Sequence, residues 1–236
     1  MDCIQANVYN LKMGGLLMDG SHRKPEKSVP LYQQAYQIIR AEIMSNQIKP
    51  GDILTEEKFS EQLSISRTPI RAALQQLVFD GLAMTDSNKS VIVTNVTAED
   101  IKHLTDVRIV LETLTVRLLE KTATPEKIGQ LKRLHAKEVA LSKEKDYLAM
   151  IDMDYQFHVK MAELTDNPFL VDCIQKIKTA TNRFHILSGT MERYCAASVK
   201  EHEEILGYIE KGRYDFAEIA MRNHISGIAS RIFITD

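Results

Sequence analysis

From Ile101 onward the apolar residues of this chain recur at intervals of three and four, and no break in that period outlasts a turn. Ile101, Leu104, Val107, Leu111, Leu114 and Leu118 lie on one helical stripe. Thr97-Ala98-Glu99-Asp100 just ahead of it reads as a capping box with Asp in place of the usual Glu. Amphipathic segments follow near 126–144, 146–164, 168–188, 191–211 and 215–233. They are punctuated by Thr124-Pro125, Asn167-Pro168, Gly189, Lys211-Gly212 and a capping Asp215 with Glu218 three residues on. Helices with one apolar face each can hide those faces only against one another. Residues 96–236 are therefore expected to form an all-α bundle of six to seven helices.

Ahead of the bundle the pattern is shorter-ranged. Leu31, Ala35, Ile38, Ile39 and Ile43 fall at helical spacing, and Lys49-Pro50-Gly51-Asp52 supplies a turn after them. Thr55 is placed to cap a second helix with Glu56 and Glu57 in its first turn and Phe59 and Leu63 on its inner side. Ser64-Ile65-Ser66 makes a tight break. Ser66 caps a third helix with Pro69 in its first turn and Ile70, Leu74, Leu77 and Val78 as its inner stripe, up to Gly81. Leu82-Ala83-Met84 and Val91-Ile92-Val93 flank Asp86-Ser87-Asn88-Lys89, as the strands of a small hairpin flank its turn. A capped helix, a three-residue turn, a second helix and a hairpin are the parts of a winged helix-turn-helix, expected over residues 29–95. The fold class is thus mainly α, a winged helix-turn-helix followed by the bundle. Residues 1–28 contain Gly14, Gly15, Gly20 and Pro25 and lack an apolar period, so a flexible extension is expected there, ending near Arg23, Lys24 and Lys27.

The second helix of such a unit enters the major groove N-terminus first, presenting first-turn side chains and backbone N–H groups to phosphates and base edges. Ser66, Arg67, Thr68 and Arg71 occupy that end. Arg67 and Arg71 lie one turn apart, away from Ile70 and Leu74, where guanidinium forks can meet guanine or phosphate. Residues 29–95 carry six Lys/Arg against seven Asp/Glu, so contact with DNA has to come from placement of cations and not from bulk charge. The stretch Leu54-x-Glu56-x-x-Phe59-Ser60-x-x-Leu63-Ser64-Ile65-Ser66-Arg67-Thr68-Pro69-Ile70-Arg71-x-Ala73-Leu74, followed by Leu77 and Asp80-Gly81-Leu82, resembles the N-terminal domain of GntR-type bacterial transcription regulators. It departs from their pattern at Ser60, Ser64 and Ala72. It departs again at Glu57, where that family often has a basic DNA-contacting residue; the neighbouring Lys58 is the expected substitute. The hairpin tip reads Asn88-Lys89-Ser90 where the family usually has Gly. The resemblance implies DNA contacts from Ser66, Arg67, Thr68, Arg71, Lys58 and Lys89.

In the second half, polar ligand types sit inside apolar stripes. Asp154 and His158 lie one turn apart between Ile151 and Met161, His202 between Val199 and Ile205, and His224 between Ala220 and Ile228. Any one of them alone reads as a core residue satisfied by a hydrogen bond. Together they offer three imidazoles and a carboxylate, a set suited to Zn²⁺, Ni²⁺, Mn²⁺ or Fe²⁺, with Zn²⁺ the leading candidate, and unlike an all-oxygen Ca²⁺ or Mg²⁺ site. Asp154-x-x-Phe157-His158, Glu201-His202-x-x-Ile205-Leu206 and Asp215-x-x-x-Ile219-Ala220-Met221-x-x-His224 are similar to the metal-containing form of the FCD effector domain of the FadR subgroup. That resemblance implies a metal with open positions holding a small carboxylate effector. It also implies a basic residue from the domain's first helix beside it, in this chain Arg108, one turn before Glu112. The alternative for Arg108 is an intrahelical ion pair with Glu112. Asn182 is a further effector-binding candidate, with Arg183 and His185 as possible lining residues; His22, His103 and His135 are expected at the surface.

The longest stretch without a charge, Ser28 to Ile39, is far short of a membrane span, and the start of the chain does not read as a signal peptide. Cys3, Cys173 and Cys195 show no C-x-x-C spacing and read as ordinary thiols. The expected protein is a cytoplasmic, homodimeric, sequence-specific regulator, acting as a repressor on a palindromic operator in double-stranded DNA, and not an enzyme. Two other readings of the same residues are a metal-dependent hydrolase, since three His and a carboxylate can activate water, and a metal sensor with a structural metal domain.

Overall fold

A computed structural model of the chain describes residues 29–233. The expected N-terminal extension, with Cys3, His22 and its basic end, lies outside the described residues. The first unit begins with α1 (Leu31–Met44), which ends before the turn at Lys49 and buries Ala35, Ile39 and Ile43, with Leu31 left exposed. It is followed by β1 (Ile53–Leu54), α2 (Glu56–Leu63), α3 (Arg67–Phe79), β2 (Ala83–Thr85) and β3 (Val91–Val93). Thr55 caps α2 by accepting from the Lys58 N–H. Ser64 ends that helix in the left-handed region at φ 57°. Ser66 occupies the N-cap of α3 in an extended conformation, yet its side chain makes no capping bond, contrary to expectation. Ser66 is exposed at the start of the helix.

The hairpin β2–β3 has Ala83 opposite Val93 and Thr85 opposite Val91. Its tip is tied by Asp86 Oδ1, which accepts from the Asn88 and Ser90 N–H groups. β1 adds a third, antiparallel strand on the other side of β3. No alternation in the sequence announces it, since only Leu54 of its two residues is buried. Phe59, Ile70, Leu74, Leu77, Leu82 and Val93 join the α1 residues in one core. Truncating a fully buried ring such as Phe59 to alanine would cost about 3–5 kcal/mol, enough to threaten so small a unit.

The second unit contains α4 (Ala98–Thr122), α5 (Pro125–Glu144), α6 (Tyr147–Glu163), α7 (Pro168–Ser188), α8 (Met191–Glu210) and α9 (Tyr214–Phe233). The capping box at Thr97 and Asp100 is formed, and Thr124, Asp146 and Asn167 cap the three following helices. Glu218 does not complete a capping box. α9 starts one residue before Asp215, and Glu218 instead receives the Arg117 guanidinium of α4 in a two-bond fork at 2.9 and 2.8 Å. α4 also turns differently from its expected stripe. Its most buried positions include Arg108, Glu112, Val116 and Leu119, whereas Val107 is 47% exposed. Helices pack on several sides of α4, so the face with the largest apolar residues is not the one placed deepest; that place goes to a charged pair.

Candidate metal centre and nucleic-acid interface

Asp154 and His158 come from successive turns of α6, His202 from α8 and His224 from α9, and all four are buried. One ligand atom from each can be chosen so that all lie within 4.8 Å of one another. His158 Nε2 is 3.6 Å and His202 Nε2 3.7 Å from Asp154 Oδ1, and the Nε2 atoms of His202 and His224 are 3.3 Å apart. These separations are close to the edge of about 3.4 Å in a tetrahedron with metal bonds of about 2.1 Å. Each imidazole is oriented from behind by a carboxylate at Nδ1. Glu112 of α4 lies against His158, Glu138 of α5 against His202 at 2.9 and 3.0 Å, and Glu201 of α8 against His224 at 2.8 Å. The Phe157 ring stacks on His202 with centroids 4.2 Å apart. A carboxylate at Nδ1 favours the tautomer with its proton there, so the three Nε2 lone pairs face a common point. Two lone pairs at 3.3 Å repel unless a proton or a cation stands between them, and His158 Nε2 has no protein hydrogen-bond partner at all. The residues fit a divalent transition ion.

The proton affinities within the cluster follow from the same neighbours. Burial opposes a charge on His202, but Glu138 and Asp154 outweigh it and raise its affinity for a proton. For His224, burial acts together with the nearby His202 and His158 to hold the imidazole well below its ordinary value. A proton and a metal ion therefore compete for His202. Burial likewise pulls the Glu138 carboxyl up, yet His202 and His135 hold it at about 2.

In the first unit, Arg67 and Arg71 project from the first turns of α3 with side chains 62% and 63% exposed. Both are held by α2. Arg67 meets Glu57 at 2.8 Å, and Arg71 forms a two-bond fork on Glu56 at 2.6 and 2.9 Å. Exposed pairs of this kind contribute little to stability, so another anion can displace the glutamate from either arginine. Ser66, Thr68, Lys58 and Lys89 are all exposed. Lys89 stands at φ 63°, a left-handed position that glycine adopts without strain.

The sequence profile of the bacterial regulatory proteins of the gntR family matches residues 31–93, and that of the FCD domain matches residues 103–227. The chain belongs to the GntR family and carries an FCD domain. The Bacillus subtilis HTH-type regulator YdhC is 26% identical over 204 residues, covering 86% of this chain and 91% of that protein. The Escherichia coli transcriptional repressor RspR is 24% identical over the same length, covering 86% and 89%. The solved structure of E. coli McbR/YncC superposes with a TM-score of 0.73 at 20% identity, covering 86% of this chain and 98% of that one, and so shares its fold. The family and these relatives are transcription regulators, not enzymes. No helix among the described residues is long and apolar enough to cross a membrane.

In this GntR-family chain the wall beside the four-residue cluster is also charged. Arg108 Nε donates to Glu112 Oε1 at 2.6 Å with both side chains buried, so the ion pair forms, while Arg108 Nη2 remains buried without a partner. Lys178 of α7 donates to Asp154 Oδ2 and leaves Oδ1 facing the imidazoles. Burial alone would raise Asp154, but Lys178, His158 and His202 outweigh it and hold the carboxyl well below its usual range. Asn182 Nδ2 donates to the Ile151 carbonyl at 2.9 Å, which leaves its Oδ1 without a protein partner. Arg183 does not face this wall; it turns towards the first unit. His103 is exposed as expected, whereas His135 is partly buried and hydrogen-bonds Glu138 at 3.1 Å. Sequence reading missed Glu138 and Lys178, and named Glu201 only as part of a motif, with no role assigned to it. Glu138, two helical turns after the buried Leu131, was a carboxylate on an inner face, and that was its one visible signal.

His185 is buried close to this wall and hydrogen-bonds Thr190 Oγ1 through Nδ1 at 2.7 Å. Burial pushes its imidazole down to about 4. The native state therefore resists the proton that the unfolded chain accepts from about pH 6.5 downward. Its contribution to stability is unaffected at neutral pH and falls by about 3 kcal/mol as pH drops from 6.5 to 4. Urea unfolding at pH 7 and pH 4.5 should show His185→Gln losing about 2 kcal/mol less than the wild type over that interval. Equal losses would mean that His185 is not held neutral.

Proposed function

We propose that this regulator is a homodimeric repressor of a palindromic operator, controlled by a small carboxylate bound at a divalent transition metal, with Zn²⁺ the first choice, in the FCD domain. The carrying observation is the convergence of three carboxylate-backed imidazoles and Asp154 Oδ1 beside the unpartnered Nη2 of Arg108. Asp154, His158, His202 and His224 would hold the ion, which when bound supplies a Lewis-acidic position for an anionic oxygen. Arg108, kept rigid by Glu112, would donate to the effector carboxylate, and Asn182 Oδ1 would accept from a donor on it. The repressor sign is supported by RspR, a relative named as a repressor. Homodimerisation is supported by apolar side chains left exposed on two packed helices, Val107 and Val110 on α4 and Ile219 on α9.

On DNA, Ser66, Arg67, Thr68 and Arg71 would enter the major groove, with Lys58 and Lys89 on flanking phosphates. The deciding experiment is selection of bound fragments from the source genome at one fixed, near-physiological salt concentration, with and without Zn²⁺. An enriched palindrome is expected; salt-sensitive binding without enrichment would overturn the sequence-specific reading. With the selected fragment, Arg67→Ala combined with Arg71→Ala should weaken specific binding at least about a hundredfold while leaving the weak non-specific component. Retained specificity would mean that α3 is not the helix that reads the bases. Titrating Zn²⁺ and then a panel of short carboxylates separates the control modes. A response to Zn²⁺ alone makes the protein a metal sensor, and a response that requires both supports the carboxylate effector.

Glu138→Gln tests the backing of the imidazoles. It preserves shape but removes the charge that holds the His202 tautomer, and it should lower Zn²⁺ affinity by about 10–100-fold with helix content unchanged. Wild-type affinity in this variant would show that His202 needs no such support.

A further inference from the structure

α7 has two working faces. Lys178 points into the bundle and donates to Asp154. Arg183 lies five residues on, about 140° around the helix and some 7.5 Å along it. It donates through Nη1 to the Ile43 carbonyl and through Nη2 to the Ile48 carbonyl at 3.5 Å. Lys176 is seven residues before Arg183, so it shares that outward face. Its ammonium stands 3.9 Å from the centroid of Phe79, the last residue of α3. One side of a single helix thus touches the C-terminal ends of both α1 and the recognition helix, while the other side grips a candidate metal ligand.

Arg183 is placed with unusual force for a linker contact. It is 2% exposed, no carboxylate among the described residues pairs with it, and its Nε has no partner. A buried guanidinium is costly unless backbone dipoles compensate it. The last turn of α1 has no basic residue of its own to meet the partial negative charge of its carbonyls. Arg183 supplies that cation from the other unit. Its two acceptors bracket the turn between α1 and β1, and Ile43 and Ile48 both belong to the core of the first unit. A shift of α7 therefore cannot be absorbed by a loose loop.

We propose that Arg183 is a positioning residue: it seats the winged helix-turn-helix on α7 and carries movements of the Asp154–Lys178 end of that helix to the DNA-binding unit. The coupling to the centre rests on the proposed metal site, whereas the seating does not. The test is amide hydrogen exchange on the full chain, reading residues 43–50, with and without saturating Zn²⁺. In Arg183→Met these amides should exchange at least about tenfold faster than in the wild type, while those of α4, α5 and α9 exchange as before. Arg183→Lys, which keeps a donor at the end of α1, should restore most of the protection. Unchanged exchange at 43–50 in Arg183→Met overturns the seating. Zn²⁺ should alter protection at 43–50 in the wild type and not in Arg183→Met, although both bind one ion per chain. An equal Zn²⁺ response in both proteins, or none in either with Zn²⁺ bound, overturns the coupling. If Zn²⁺ binds neither protein, the metal reading fails and Lys178→Met becomes the perturbation. Its effect should reach 43–50 when Arg183 is present and stop when Arg183→Met is added; an effect that persists overturns the coupling.

Discussion

A chain carrying both His202→Ala and His224→Ala should fold and yet retain no stoichiometric transition metal after dialysis. The two imidazoles are half of the proposed ligand set and come from the two helices that close the site, α8 and α9. Four-ligand zinc sites contribute on the order of 10–16 kcal/mol, so losing two ligands should weaken binding by more than about a thousandfold. Folding is expected to survive, because His135 still meets Glu138 and Arg231 still meets Glu201 after the substitution, so neither carboxylate is left without a partner. Metal content measured alongside circular dichroism decides the matter. An ion still bound one to one in a folded variant would mean that these histidines are not its ligands.

Lys178→Met should have the largest effect on stability, and the effect should depend on metal. Lys178 and Asp154 are both fully enclosed, and the ammonium is the closest positive charge to that carboxylate. Removing one member of a buried pair leaves the other uncompensated, at a cost of about 3–5 kcal/mol. With chelator present the variant should therefore unfold at much lower urea than the wild type. A divalent ion on Asp154 supplies the missing charge, so saturating Zn²⁺ should recover most of the loss and stabilise the variant more than it stabilises the wild type. A variant as stable as the wild type in chelator would show that Asp154 does not depend on Lys178. A loss that Zn²⁺ leaves untouched would place the ion away from Asp154.

What could be read in advance was local. Thr97 with Asp100, Thr124 before Pro125, Asn167 before Pro168 and the left-handed Gly189 act on backbone groups within a few residues, so the chain itself announces where the bundle helices begin and end. Asp154, His158, His202 and His224 were visible for a similar reason, as polar residues in apolar stripes. Their orienting groups were not. Glu138 meets His202 from 64 positions away and Lys178 meets Asp154 from 24; each becomes meaningful only once two helices are side by side. The same holds for Arg183, a possible lining residue of the pocket whose direction spacing did not decide and which packing turned towards the other unit. The Arg108–Glu112 ion pair was one of two readings offered by their one-turn spacing, but nothing in that spacing distinguishes an exposed pair of small worth from a buried one. β1 escaped because two residues are too few to display a period.

The order of the ligands along the chain also sets an order in time. Domains fold largely from the N-terminus as they are synthesised. The winged helix-turn-helix can complete its core as soon as Val93 has emerged, whereas the four-residue cluster waits for α9 and His224. A newborn chain therefore owns a DNA-reading surface before it owns the means of controlling it. On the proposed homodimer and effector control, that interval, set by the ribosome's pace, leaves a transient DNA-binding unit that has neither its partner nor its control site.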